Sequence, residues 1–200
     1  IRGFTNVLEA VRLMDIERLV WSSSYAIFGP PEFYPNQPVN EDAPVKPTMI
    51  HAPSYICNEY MAKHCVEQYG LDILTLRLGA NFGPGRARIG VFDEPIDLCE
   101  GAVLGRPVKI SNGDTVFTWQ YVKEAANVVW TGLNVKDFTH RVFNTCDEAK
   151  SIRELAEYVK EFVPDAKIEV EPGGKTTRVR VTASRIREEL KYTPRYTVKA

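Results

Sequence analysis

The chain has 200 residues, 25 Lys and Arg against 26 Asp and Glu, a formal net charge of −1, and a 44% hydrophobic fraction. That length and balance suit a globular protein with a sizeable core; no basic stripe points to nucleic acid and no basic amphipathic helix to a membrane surface. No apolar run approaches a membrane span and no signal peptide opens the sequence, so the expected location is cytoplasmic.

The chain opens at Ile1 directly inside "IRGFTNVLEAVRLM", where Val7, Leu8, Val11 and Leu13 follow helical spacing. A start inside such a pattern suggests the later part of a longer protein. "ERLVWSSS" follows as an apolar strand ending in small hydroxyl residues, then a Pro-rich loop from Gly29 to Pro53 too polar and Pro-broken for a regular element. A helix is expected from about Ser54 to Gln68, stopped near Gly70, and then "LDILTLRLG", a nearly continuous apolar strand of the kind found in covered parallel sheets.

After the loop "ANFGPGRARIG", the pattern predicts a helix around Ile96 to Leu104, a short strand "PVKIS" and a helix over "WQYVKEAANVVWTGL". "HRVFNTC" reads as a strand, and Ser151 with Glu154 forms a capping-box pattern opening the helix "SIRELAEYVKEFV". A strand "AKIEVEP" and a helix "ASRIREELKY" finish the chain. Alternating strands and helices predict an α/β fold with parallel strands.

Cys57 and Cys65 share a predicted helix, about 12 Å apart along its axis, too far to bridge. Cys99 and Cys146 are isolated, and His51, His64 and His140 match no metal-ligand spacing, so no metal is expected.

Two stretches carry candidate chemistry. "VWSSSYAIFG" places three serines at the C-terminal edge of a parallel strand, where open α/β sheets bind ligands; the same serines can equally cap the local backbone. "LTLRLGANFGPGR" ends a strand in Gly79, Asn81, Gly83 and Gly85, where glycine permits close backbone approach and Asn81 can donate and accept hydrogen bonds; a plain structural turn uses the same residues.

Together and in order, these pieces resemble the extended short-chain dehydrogenase/reductase family, the NAD(P)-dependent sugar epimerases and dehydratases. "GFTNVLEAVRLMDIERLVWSSSYAIFG" is similar to that family's helix–strand unit ending in its serine, and "RLGANFGPGR" to its next strand and loop. "GDTVFTWQYVKEAANVV" and "RVFNTCDEAKSIRELAEYV" resemble the following strand–helix segments, so the resemblance covers nearly the whole chain. It implies a Rossmann-type doubly wound parallel sheet, lacking its first strands and glycine-rich turn, over residues 1–95 and 117–149. A small α/β substrate-binding domain over 96–116 and 150–200 is implied beside it. NAD or NADP as cofactor and a sugar or nucleotide-sugar substrate are also implied.

In that family a serine holds the substrate, a tyrosine exchanges its proton as hydride moves, and a lysine one helical turn later binds the nicotinamide ribose. The lysine also lowers the tyrosine pKa, which a phenol titrating near 10 requires. Ser24 matches the serine. The family helix commonly runs Tyr-x3-Lys-x3-Glu. Counting back without gaps from "YGLDILTLR" puts Glu59 on its acidic residue, Tyr55 on the lysine and His51 on the tyrosine. A second register, with Tyr55 as the tyrosine, Glu59 for the lysine and Lys63 for the acid, leaves the phenol beside a carboxylate; the gapless register is preferred.

The resemblance therefore makes Ser24, His51 and Tyr55 the candidate catalytic residues. Ser22, Tyr55, Leu78, Gly79 and Ala80 become the cofactor-side candidates, and Ser24, Asn81 and Arg178 the substrate-side ones. His51 can exchange protons near neutrality, whereas Tyr55 brings no positive charge; a solvated loop histidine and a half-buried helix aromatic are the plain alternatives. Phe117 and Thr118 stand where many relatives place Arg-Asp, which leaves Arg178 and Arg180 as candidates for an anionic substrate group or as a solvated basic strand. An enzyme with an altered acid–base pair and a non-catalytic cofactor- or nucleotide-sugar-binding protein both fit. By family analogy, the helices at 1–13 and 54–68 pair in a homodimer.

Overall fold

The computed structural model describes residues 1–88, 92–176 and 178–199; Ile89 and Gly90, the end of one expected loop, lie outside them. Helix α1 (Arg2–Leu13) leads into strand β1 (Leu19–Ser24). A single-turn 3-10 segment, Tyr25–Ile27, follows β1, and a second, Pro31–Phe33, breaks the Pro-rich stretch that the sequence reads as wholly irregular. In the same stretch Val39 forms a parallel bridge with Val181. Helix α2 (Ala52–Tyr69) starts two residues before its expected position and ends on Gly70, whose φ of 66° places it in the left-handed region that favours glycine. Strand β2 (Ile73–Leu78) follows and pairs with β1 in parallel, from Leu19 opposite Ile73 to Ser24 opposite Leu78.

Strand β3 (Ala80–Phe82), helix α3 (Glu94–Leu104), strand β4 (Val108–Ile110) and strand β5 (Val116–Tyr121) come next. Helix α4 covers Val122–Asn134, so the helix expected from Trp119 begins three residues later. Trp119, Gln120 and Tyr121 instead complete β5, which pairs with β3 and with strand β7 (Ala149–Ser151). The indole N–H of Trp119 donates to the Lys150 carbonyl, 3.0 Å away, so long-range pairing overrides the local helical pattern. Strand β6 (Val142–Asn144) lies on the far side of β2. Helix α5 (Ile152–Phe162) carries the expected capping box, with Ser151 and Glu154 each satisfying the other's backbone N–H. Strand β8 (Ile168–Val170) pairs in parallel with β4, and helix α6 (Ser184–Leu190) closes the regular structure.

The two faces of β2 differ. Ile73 packs with Leu8 of α1 and Ala62 of α2, whereas Leu74 and Leu76 pack with Val128 of α4 and Ile186 of α6. Helices therefore cover both faces of the β1–β2–β6 sheet, which explains the nearly unbroken apolar run. Trp119, Leu98, Ile110, Ile152 and Val179 share a second core with Tyr25, Ile27 and Phe28. The sequence suggests an amphipathic α2. The structure corrects this: only Ala52 and Ala62 are buried on it, and apolar residues point outward as well, Tyr60 and Tyr69 among them. No described helix is long and apolar enough to cross a membrane.

Glu124, in the first turn of α4, is buried and clamps the C-terminal tail. It accepts hydrogen bonds from the Tyr192 hydroxyl and from the backbone N–H groups of Arg195 (2.9 Å) and Tyr196 (3.0 Å). Burial raises its pKa, but the Tyr192 hydroxyl and the two N–H groups outweigh burial and hold the carboxyl below its ordinary value. A depressed carboxylate stabilises the fold above its unfolded pKa, and that contribution is lost as pH falls through the folded value. Glu124→Gln is therefore expected to unfold more easily than the parent at neutral pH and to match it once acid has protonated Glu124, a convergence that urea titrations across pH will show.

Candidate active site

The serines of β1 divide their work. Ser22 is exposed. Ser23 is buried on the face that carries Trp21, and its hydroxyl donates to Glu59 Oε1 of α2 at 2.6 Å. Ser24, half-buried at the strand end, accepts a hydrogen bond from the Ala26 N–H at 3.1 Å, which caps the 3-10 turn. The backbone-capping use of this hydroxyl is thus realised, and it remains at the C-terminal edge of the sheet.

Glu59 fixes the height of α2. Arg77 of β2 reaches it through Nε (3.0 Å) and Nη2 (2.8 Å), and the pair is nearly solvent-free. Helix α2 runs antiparallel to β1, because it starts from the loop after β1 and ends just before β2 begins. One and two helical turns before Glu59, Tyr55 and His51 thus sit about 6 and 12 Å further along the axis, towards the C-terminal edge of the sheet. Their rings meet edge to face with centroids 6.2 Å apart. Tyr55 is half-buried against the core that contains Tyr25 and Phe28, while His51 is exposed. Lys63 points to solvent and pairs with Glu67, so the acid facing the sheet is Glu59.

Leu78 stands opposite Ser24 in the ladder, and Gly79 follows at the step from β2 to β3. A Cβ on Gly79 would lie 2.4 Å from Cys146 Sγ and 2.7 Å from the Thr118 carbonyl oxygen, so only glycine fits. Its N–H donates to Gln120 Oε1, which also accepts from the Thr145 hydroxyl. Burial pushes the Cys146 thiol up to about 12, which keeps it protonated. Ala80 is buried opposite Trp119, and Asn81 lies opposite Gln120.

Near this step lie polar atoms that buried groups rarely leave unpaired: Asn81 Oδ1 and Gln120 Nε2 have no hydrogen-bond partner, and the Tyr25 hydroxyl lies close to the Thr118 backbone. Arg178, which the sequence leaves between a solvated strand and an anion site, is only 5% exposed. Burial lowers its pKa and the nearby Tyr25 phenol opposes the shift, so the two groups share one interior region. Burial raises Tyr25 against the pull of the Arg178 charge. The solvated reading of this position is thus excluded by its burial. Among the described residues, no cluster of His, Cys, Asp and Glu is suited to hold a metal.

Sequence reasoning misses Ser23, Tyr25, Arg77 and Gln120. Only Arg77 leaves a signal, as a lone charge inside the apolar run "ILTLRL".

Residues 1–146 match the model of the NAD dependent epimerase/dehydratase family. The chain belongs to that family. It resembles a putative UDP-glucose 4-epimerase of Methanocaldococcus jannaschii, 27% identical over 139 residues, covering 68% of this chain and 44% of the relative. A GalE-like L-threonine dehydrogenase from Cupriavidus necator superposes with a TM-score of 0.86 at 21% identity, covering 98% of this chain and 66% of that one. The UDP-glucose 4-epimerase of Thermus thermophilus, solved in complex with NAD, gives 0.79 at 23% identity, covering 98% and 65%. The chain spans less than half the length of the curated relatives it matches. The family match and these superpositions establish a Rossmann-type α/β fold in the extended short-chain dehydrogenase/reductase family.

The hydroxyls at the sheet edge are of a kind that can hydrogen-bond a nicotinamide ribose of the family's cofactor. Hydroxyls stand at Ser24 and Tyr55, and the backbone of Leu78, Gly79 and Ala80 runs beside Ser24, with the Gly79 N–H already bonded to Gln120. No G-x-G-x-x-G turn for the diphosphate occurs in these residues.

Proposed function

We propose that this chain forms the catalytic-edge portion of an NAD(P)-dependent epimerase or dehydratase acting on a sugar or nucleotide-sugar, with an altered acid–base pair. The observation that supports the reading is the Ser23–Glu59–Arg77 contact, which fixes the height of α2 against the sheet, with Tyr55 and His51 on the turns beyond it towards the C-terminal edge. When bound, NAD(P) would supply hydride acceptance. Ser24 would orient the substrate hydroxyl, His51 would exchange its proton, and Tyr55 would bind the ribose through a neutral hydroxyl. Arg178 and Asn81 are the proposed contacts to an anionic or hydroxyl-rich substrate part. The same reading assigns residues 1–95 and 117–149 to the cofactor side and 96–116 with 150–200 to the substrate side.

One observation favours a second reading, a binding protein without hydride chemistry. The position one turn after His51 holds the uncharged Tyr55, so proton transfer and ribose binding both lack a cation there. Calorimetric titration of NAD and NADP into the complete natural polypeptide tests the proposal. Micromolar binding of either is the expected result; undetectable binding of both would sink the enzyme reading.

We further propose that α1 and α2 pair with a second copy, because Val7, Leu13, Met14, Tyr60 and Tyr69 of these two helices and their ends are exposed. Sedimentation equilibrium of the complete polypeptide should show a dimer, and a monomer at tens of micromolar would refute the pairing.

A further inference from the structure

The geometry points to Arg77 as a positioning residue that staples both ends of the segment carrying His51 and Tyr55. On one side its Nη1 donates to the Glu41 backbone carbonyl at 2.8 Å; on the other its Nε and Nη2 hold Glu59. His51 and Tyr55 lie between these two attachments. Within the segment, the Tyr34 hydroxyl donates to the Pro44 carbonyl and the Lys46 N–H to the Ile27 carbonyl, whereas the stretch next to His51 is more loosely held. His51 makes no side-chain cap to α2, Ile50 is almost fully exposed, and α2 buries only Ala52 and Ala62.

The attachments are built for stiffness. The guanidinium lies over the Phe28 ring, 5.2 Å from its centroid, so its plane is fixed as well as its hydrogen bonds. Glu41 is itself anchored, accepting the Asn144 N–H at 2.8 Å with Arg185 3.6 Å from its other oxygen. Arg185 also pairs with Asp42. Arg77 and Asn144 are ladder partners on β2 and β6, so the guanidinium and the N–H that anchors Glu41 both rest on the sheet. A lysine cannot reproduce this arrangement. Its single ammonium can satisfy Glu59 or the Glu41 carbonyl but lacks the planar fork that holds both.

The test is hydrogen exchange by mass spectrometry on Arg77→Lys, with Arg18→Lys, on the Asp72 pair at the opposite end of the sheet, as the control. Arg77→Lys should cut amide protection between residues 43 and 58 about tenfold while Ile73–Leu76 and α6 keep theirs; Arg18→Lys should leave the segment unchanged. An effect spread evenly over the chain, or none, overturns the inference. If Arg77→Lys does not fold, Glu59→Asp, which withdraws one attachment by a methylene, should show the same local pattern.

The inference that the staple serves chemistry rests on the reading under Proposed function, and a second measurement keeps the two apart. In a turnover assay, a displaced proton carrier shifts the midpoint of the pH–rate profile in Arg77→Lys. A mere loss of folded protein lowers the plateau and leaves the midpoint in place, which would overturn the positioning role. Wild-type protein that fails to bind NAD(P) would refute the proposed function and leave the exchange result standing.

Discussion

His51→Tyr/Tyr55→Lys should raise the rate of hydride transfer by about 10²–10⁴, the usual worth of positioned acid–base catalysis. The two positions are adjacent turns of one helix face, with rings already in contact, so the introduced phenol and ammonium would be neighbours. A unit charge about 6 Å away at an effective dielectric near 20 contributes about 3 kcal/mol, which lowers a phenol by about two pKa units. His51→Tyr alone gains less, because its phenol would face a neutral Tyr55. Single-turnover nicotinamide absorbance, with the complete polypeptide and a panel of nucleotide-hexoses, reads the outcome. A double variant that binds cofactor but stays silent would show that the site has lost more than its dyad, and would favour the non-catalytic binding protein.

Glu59→Leu should cost about 3–5 kcal/mol, because it strands a buried guanidinium. The side chains of Arg77 and Glu59 are 6% and 12% exposed, so neither water nor salt can replace the lost partner. The loss would appear as a lower urea midpoint with an unchanged slope. Adding Arg77→Leu should recover much of it, since removing both charges eliminates the unpaired ion. A single-variant loss below about 1 kcal/mol would place the pair in the range of exposed salt bridges and remove the basis for the Arg77 staple.

How much of this was legible in the sequence follows from the range of the forces involved. The apolar run of β2, the left-handed cap at Gly70 and the Ser151–Glu154 box are local, and each lies where its pattern predicts. The last three residues of β5 were hidden because Trp119–Tyr121 continue a helical pattern, and what decides their state is pairing with β3. The serine edge shows as three small hydroxyl residues ending an apolar strand, whereas His51 and Tyr55 stand out only through the family resemblance. The Arg77 staple could not, because one arginine in a strand does not reveal that its partners are a carbonyl in the Pro-rich loop and a carboxylate in the following helix. Tyr25 and Arg178 lie far apart in sequence, and only folding brings each within the electrostatic reach of the other.

The two faces of β2 also differ in how they respond to temperature. Leu74 and Leu76 hold α4 and α6 by apolar contact, a force that weakens on cooling. On the other side Ile73 also packs against α1 and α2, but Arg77 adds the Glu59 ion pair, whose desolvation cost falls on warming. Cold should therefore loosen the α4–α6 side first, while heat spares the side that carries His51 and Tyr55 for longest.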